Sequence, residues 1–149
     1  MTRTRGPIAG DPTAGTRGFG SLTSRLEPTE TVLVVEDEVP VRNVARQVLE
    51  RQGYTVLEAP SAEAALDLAT RYSGVIHLLL TDVVMPGLNG RELASRLANV
   101  RPGARVIFMS GYTDEAVTRH GVLEPGSVYV QKPFTPEAIA RKVREVLDQ

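Results

Sequence analysis

From Thr31 onward, apolar and polar positions alternate between two periods. "TVLVV" (31–35) is a short run rich in β-branched residues and predicts a strand. Val41, Val44, Ala45, Val48 and Leu49 then recur at helical spacing, and Gly53 supplies a stop. "YTVLEA" (54–59) predicts a second strand, and Ser61 caps a helix with Ala62, Ala65, Leu66 and Ala69 on one face. "VIHLLLT" (75–81) predicts a third strand. Leu88, Leu93, Leu97 and Val100 mark a third helix that ends at Pro102-Gly103. "RVIFMS" (105–110) predicts the fourth strand, a shorter helix follows over about 113–119, and "SVYVQ" (127–131) predicts the fifth strand. Thr135-Pro136-Glu137 opens the last helix with a cap hydroxyl, a proline suited to the first turn and an acid at the positive dipole end. Ile139, Val143, Val146 and Leu147 form its inner face.

Five β-α units in series predict an α/β fold with a parallel sheet and helices on both faces. The first, third and fourth strands are apolar without alternation, as expected for strands covered on both sides. Residues 1–29 differ. They include "RGPIAGDPTAGTRGFG", rich in Gly, Pro and Thr, with Arg3, Arg5, Arg17 and Arg25 against Asp11 and Glu27. Such a stretch has too few large apolar residues to offset the entropy of ordering it. It is expected to be a tail or linker, with one domain over 30–149.

Composition narrows the function. The chain has 149 residues, 42% of them hydrophobic, a net charge of −1 and no cysteine. There is no basic excess to suggest a nucleic-acid partner. No thiolate metal site or disulfide framework is available. No apolar run approaches the roughly 18–20 residues of a membrane span, and the first residues lack the apolar core of a secretory signal. A soluble, cytoplasmic protein is expected.

In an open parallel sheet, ligands bind outside the carboxyl ends of the strands. "VVEDE" brings Glu36 and Asp37 to that edge, "LLLTD" brings Asp82, "VIFMS" brings Ser110 and "YVQKPF" brings Lys132. Singly, each has an ordinary reading: an acid at a helix start, a turn aspartate, a serine bonded to a local amide, a surface lysine. Together they make a phosphoryl-transfer site. Three converging carboxylates repel one another unless a cation intervenes, and Mg²⁺ suits carboxylates, waters and a phosphate oxygen. Lys132 offers a point charge to a phosphoryl group and Ser110 a hydrogen bond. Asp82 is the expected nucleophile, forming an acyl phosphate.

In order along the chain, "VLVVEDE", "LLLTDVVMPGLNG", "VIFMSGY" and "YVQKPF" resemble the receiver domain of two-component response regulators. The resemblance covers residues 31–148. Its details are most like the C-terminal receivers of hybrid sensor histidine kinases. It implies a flavodoxin-like fold with strand order 2-1-3-4-5 and makes Asp82 the phosphoacceptor. The implied Mg²⁺ ligands are Glu36, Asp37, Asp82 and the Val84 carbonyl. Ser110 and Tyr129 fall at the family's switch positions, and Lys132 at its lysine, with a cis bond to Pro133. The implied partners are a sensor histidine kinase or a histidine phosphotransfer protein. The implied output face is the fourth helix, fifth strand and fifth helix, where a second copy could also dock. The domain would catalyse its own phosphorylation and dephosphorylation while serving mainly as a switch.

Some positions depart from the family pattern. The acidic pair is Glu-Asp, which lets the longer Glu36 reach a metal through water. Gly111 stands where alanine is commoner, and "HGVLEPGS" approaches the fifth strand. His77 reads as a strand residue and His120 as a helix-end cation. Two alternatives remain: a pseudo-receiver that binds partners without phosphate, and a haloacid-dehalogenase-like phosphatase. The latter wants a second aspartate two residues after the first, where Val84 stands.

Overall fold

The computed structural model describes residues 30–111 and 127–149. The helix expected over 113–119 and His120 lie outside the described residues. Two units partition the chain, Glu30–Arg51 with Thr55–Gln149, and Met1–Thr29 with Gln52–Tyr54. Of the second, the described residues are Gln52–Tyr54, with Gly53 at φ 98.

The first unit runs β1 (Thr31–Val35), α1 (Val39–Arg51), β2 (Thr55–Ala59), α2 (Ala62–Arg71), β3 (Leu78–Asp82), α3 (Gly90–Val100), β4 (Arg105–Ser110), β5 (Tyr129–Gln131) and a C-terminal helix, here α4 (Pro136–Leu147). All strands pair in parallel in the order β2-β1-β3-β4-β5, the topology the family resemblance implied. Every residue of β1 and β3 is buried, as their uninterrupted apolar runs require of central strands. The edge strand β2 is half open.

Helices cover both faces of the sheet. α1 packs against α4, and α2 against α3. On the α2–α3 side, Ala62, Ala65 and Ala69 meet Leu93 and Leu97 over Leu33, Val35 and Leu79 of the sheet. On the α1–α4 side, Ala45, Val48, Leu49, Ile139, Val143 and Val146 are buried. Small alanines on α2 let that helix lie close, while branched residues fill the opposite layer. Val44 shares the helical spacing of the α1 core but stays 42% exposed.

The helix caps follow the sequence. Ser61 accepts from the Ala64 amide and Thr135 from the Ala138 amide, with Pro136 in the first turn. Asn89 and Glu92 form a reciprocal capping box at the start of α3. One cap has no local signature. Arg101 reaches back from the end of α3 to the carbonyls of Ala69, Tyr72 and Gly74. It thereby satisfies oxygens that the end of α2 leaves without helical partners.

Three boundaries differ from the sequence reading. β3 starts at Leu78, three residues later than the apolar run suggested, and Val75 is 63% exposed. β5 starts at Tyr129 and not at Ser127, and β2 at Thr55. His77 accordingly lies outside β3, although it continues the ladder in another way. Its amide donates to Thr31 O at 2.9 Å and its Nδ1 accepts from Thr31 N at 2.9 Å. The side chain takes the place of a backbone acceptor, so the strand assignment ends where the imidazole begins.

Candidate functional site

The strand order reverses direction between β1 and β3, and the site lies where these two neighbours end. Glu36 and Asp37 follow β1 directly, and Asp82 is the last residue of β3, not the first of the loop. That strand position matters: Asp82 is buried and paired in register with Met109. Its Oδ1 accepts from the Val83 amide at 2.9 Å. Thr81 Oγ1 donates to the Asp82 carbonyl at 2.9 Å.

One oxygen each from Glu36, Asp37 and Asp82 lies within 4.8 Å of the others. Glu36 is fully buried and Asp37 is exposed. Lys132 joins them from beyond β5. Its Nζ lies 2.9 Å from Glu36 Oε1 and 3.3 Å from Asp82 Oδ2. The Lys132 backbone is fixed by its amide, which donates to Ser110 O at 2.7 Å, and its bond to Pro133 is cis, as the sequence suggested. Ser110 ends β4 and is buried. Tyr129 packs with Val83 and Phe108 at the start of β5.

Burial dominates the electrostatics. It pushes the Glu36 carboxyl up to about 7, against the downward pull of the Lys132 and Glu38 hydrogen bonds. Asp82 is raised in the same direction, again by burial first, with Lys132 and the Val83 amide opposing it and Asp37 adding to it. For Lys132, burial favours the neutral form, but the contacts with Glu36 and Asp82 outweigh it and raise its pKa. The ammonium is therefore charged at neutral pH.

This has a measurable consequence without metal. Glu36 binds its proton more tightly folded than unfolded, so the folded state holds more protons between pH 4.5, the ordinary value, and about 7. Stability must then fall as pH rises through that window, by at most about 3 kcal/mol for this one group. Urea unfolding in a chelator at pH 5 and pH 7.5 measures the slope. Glu36→Gln should reduce it, leaving the part that the raised Asp82 carboxyl contributes; an unchanged slope in that variant would assign it elsewhere.

The donor set fits a hard divalent cation. It offers carboxylate oxygens only, two of the three carboxyls resist ionising when buried, and a cation among them would favour the charged forms. Val84 follows at the mouth of the loop, with its side chain 48% exposed. The loop then turns at Gly87, φ 81. Gly90 closes it, donating to Val83 O at 2.8 Å. An added Cβ on Gly90 would sit 2.3 Å from the Asp82 carbonyl oxygen. This contact was not visible in the sequence.

The response regulator receiver domain model matches residues 32–144. The chain belongs to that family. The receiver is 36% identical over 124 residues to the sensor kinase CckA of Brucella abortus (strain 2308), covering 83% of this chain and 13% of that protein. It is 30% identical over 121 residues to the aerobic respiration control protein ArcA of Escherichia coli (strain K12), covering 81% of this chain and 50% of that protein. The receiver thus spans half or less of the length of these two relatives. Among solved structures, the receiver domain of the hybrid histidine kinase CckA matches with a TM-score of 0.67 at 38% identity, covering 78% of this chain and 98% of that one. A CheY-like receiver from Methanospirillum hungatei JF-1 matches with a TM-score of 0.68 at 28% identity, covering 81% of this chain and 95% of that one. Receivers of two-component systems work with histidine kinases or phosphotransfer proteins. No helix among the described residues is long and apolar enough to cross a membrane.

Proposed function

We propose that residues 30–149 form a phosphoacceptor receiver in which Asp82 takes a phosphoryl group from a phosphohistidine. The supporting observation is the meeting of Glu36, Asp37, Asp82 and Lys132 at the ends of β1, β3 and β5. In the step, a carboxylate oxygen of Asp82 forms a bond to phosphorus as the P–N bond breaks. The electron pair of that bond returns to the donor imidazole. Lys132, already between two carboxylates, meets the incoming phosphoryl oxygens, and the Ser110 hydroxyl donates to another. Positioning and charge neutralisation make up most of what this transfer needs.

Mg²⁺ is the proposed cofactor, held by Glu36, Asp37, Asp82 and the Val84 carbonyl. Bound there, it supplies positive charge to the phosphoryl oxygens. The donor is a sensor histidine kinase or a histidine phosphotransfer protein in the cytoplasm, and residues 1–29 serve as a tail or linker. The apolar groove beside Lys132, lined by Pro40, Val41, Val44, Pro133 and Phe134, offers the donor a surface next to the nucleophile. Phosphorylation draws Ser110 toward the new group and lets Tyr129 turn inward, two arrangements that the phosphoryl group biases. The proposed output face includes β5 and α4, which also suits a second copy; the fourth helix that the family resemblance adds to it lies outside the described residues.

The cofactor assignment has a direct test. Millimolar Mg²⁺ should raise the melting temperature of the unaltered chain by mass action. Asp37→Ala should lose most of that rise. A melt indifferent to Mg²⁺ in the unaltered chain would remove the metal from this scheme.

A further inference from the structure

Glu36 is held at every polar atom. Its N–H donates to Ala59 O at 3.2 Å, continuing the ladder toward β2. Its Oε1 takes Lys132 Nζ at 2.9 Å and its Oε2 the Glu38 amide at 3.1 Å. Its carbonyl oxygen accepts from Arg42 Nη1 at 2.7 Å. The last partner stands apart, because Arg42 lies within α1 and has no part in the chemistry described above.

Arg42 is well braced for such a task. Its side chain is only 16% exposed. Its Nε lies 3.4 Å from Glu58 Oε1 on β2, and the other oxygen of Glu58 is held by Arg46 Nε at 3.1 Å. A planar guanidinium tied at two edges has little freedom to swing. The oxygen it grips belongs to the same rigid peptide plane as the Asp37 N–H. Fixing that oxygen fixes the rotation of the plane, and with it the direction in which Asp37 leaves the backbone. Asp37 and Glu38 lie in the bend between β1 and α1, outside the strand ladder and the helix.

We propose that Arg42 is a positioning residue for the acidic pair, locking the Glu36–Asp37 peptide from outside the site so that both carboxylates face a cation in one arrangement. The inference rests on the metal reading above, yet it can fail separately. Charge and positioning predict opposite signs. A guanidinium near three carboxylates repels a cation, so a purely electrostatic Arg42 would weaken Mg²⁺ binding, and its removal would tighten it. A positioning Arg42 strengthens binding, and its removal loosens it.

The experiment titrates Mg²⁺ into the unaltered chain, Arg42→Met, Arg42→Lys and Glu58→Gln, followed by calorimetry and by the amide resonance of Asp37. Arg42→Met should weaken binding on the order of tenfold, the size typical of partners that orient metal ligands. Arg42→Lys keeps the charge but loses the fork, and should weaken binding comparably. Glu58→Gln removes one brace and should weaken it less. In metal-free protein the Asp37 amide should shift and exchange faster in both Arg42 variants. Binding that is unchanged or tighter in the Arg42 variants, with the Asp37 amide unmoved, overturns the proposal. Should Arg42→Met not fold, Arg42→Lys decides. If the unaltered chain binds no Mg²⁺, the metal reading fails, and the metal-free Asp37 resonance alone decides for or against Arg42.

Discussion

Asp82→Asn should take up no phosphoryl group from acetyl phosphate and Mg²⁺, while the unaltered chain should be labelled. The loss should be complete, because an amide oxygen is a poor nucleophile and an asparagine cannot form the acyl phosphate. The variant should still fold. An asparagine oxygen can accept from the Val83 amide as Asp82 Oδ1 does at 2.9 Å, and Lys132 keeps Glu36 as its partner. Burial raises the Asp82 pKa, so a neutral side chain there relieves a strain on the metal-free fold. Stability in a chelator should therefore hold or rise while labelling vanishes. Intact mass after incubation reads the first quantity, and a urea titration the second. Equal labelling of the Asn variant would sink the assignment of Asp82. No labelling of either chain, from a small donor or a phosphohistidine protein, would favour a pseudo-receiver that binds partners without phosphate.

Gly90→Ala should cost about 1–3 kcal/mol of stability or more, the range for overpacking, with backbone atoms that cannot yield favouring its upper end. The new Cβ would come within 2.3 Å of the Asp82 carbonyl oxygen and 3.1 Å of Val83 Cα, both backbone atoms. Relief requires α3 to move away from β3, which also stretches the 2.8 Å bond from Gly90 N to Val83 O. The damage therefore reaches Asp82, the proposed phosphoacceptor, and residual folded protein should be labelled more slowly. Gly111 makes the contrast. Among the described residues, an added Cβ there meets nothing within 4 Å, so Gly111→Ala should change stability by no more than about 0.5 kcal/mol. The two glycines are alike in sequence, each beside a site residue or its loop, and differ only in what surrounds them. Similar losses at both positions would show that loop flexibility, and not close approach, governs this edge of the domain.

Much of the molecule was legible without coordinates, for identifiable reasons. Strands β1 and β3 announced themselves because a central strand buries both faces and so carries an unbroken apolar run. The caps at Ser61 and Thr135 were readable because a helix start needs a local acceptor for its free amides. That the candidate site residues gather in one place was readable because parallel topology sends every strand's carboxyl end to one edge. Glu36, Asp37, Asp82, Ser110 and Lys132 are therefore neighbours whatever the loops do. The family resemblance rested on the same motifs and agrees with the match over 32–144.

What escaped the sequence involves groups brought together from distant positions. The start of β3 was misplaced because Val75 and Ile76 look like strand residues, yet the ladder there is completed by the His77 imidazole bonding to Thr31. Val44 fits the α1 period, but only its neighbours' positions could leave it half open. Arg42 and Arg101 carried no signal in the sequence, since nothing local in a chain reveals a carbonyl waiting in another element. Most of all, the sequence could list the site's charges but not their state. Net burial, which depends on every atom packed around Glu36 and Asp82, sets how readily those carboxyls ionise and how tightly Lys132 is drawn between them. Sequence by itself determined which groups meet at the edge of the sheet, because parallel strand direction follows from pattern and connectivity, while the strand order came from the family resemblance. The tertiary structure decided their distances, burial and charge, because desolvation and close contact depend on the whole surrounding fold and not on neighbours along the chain.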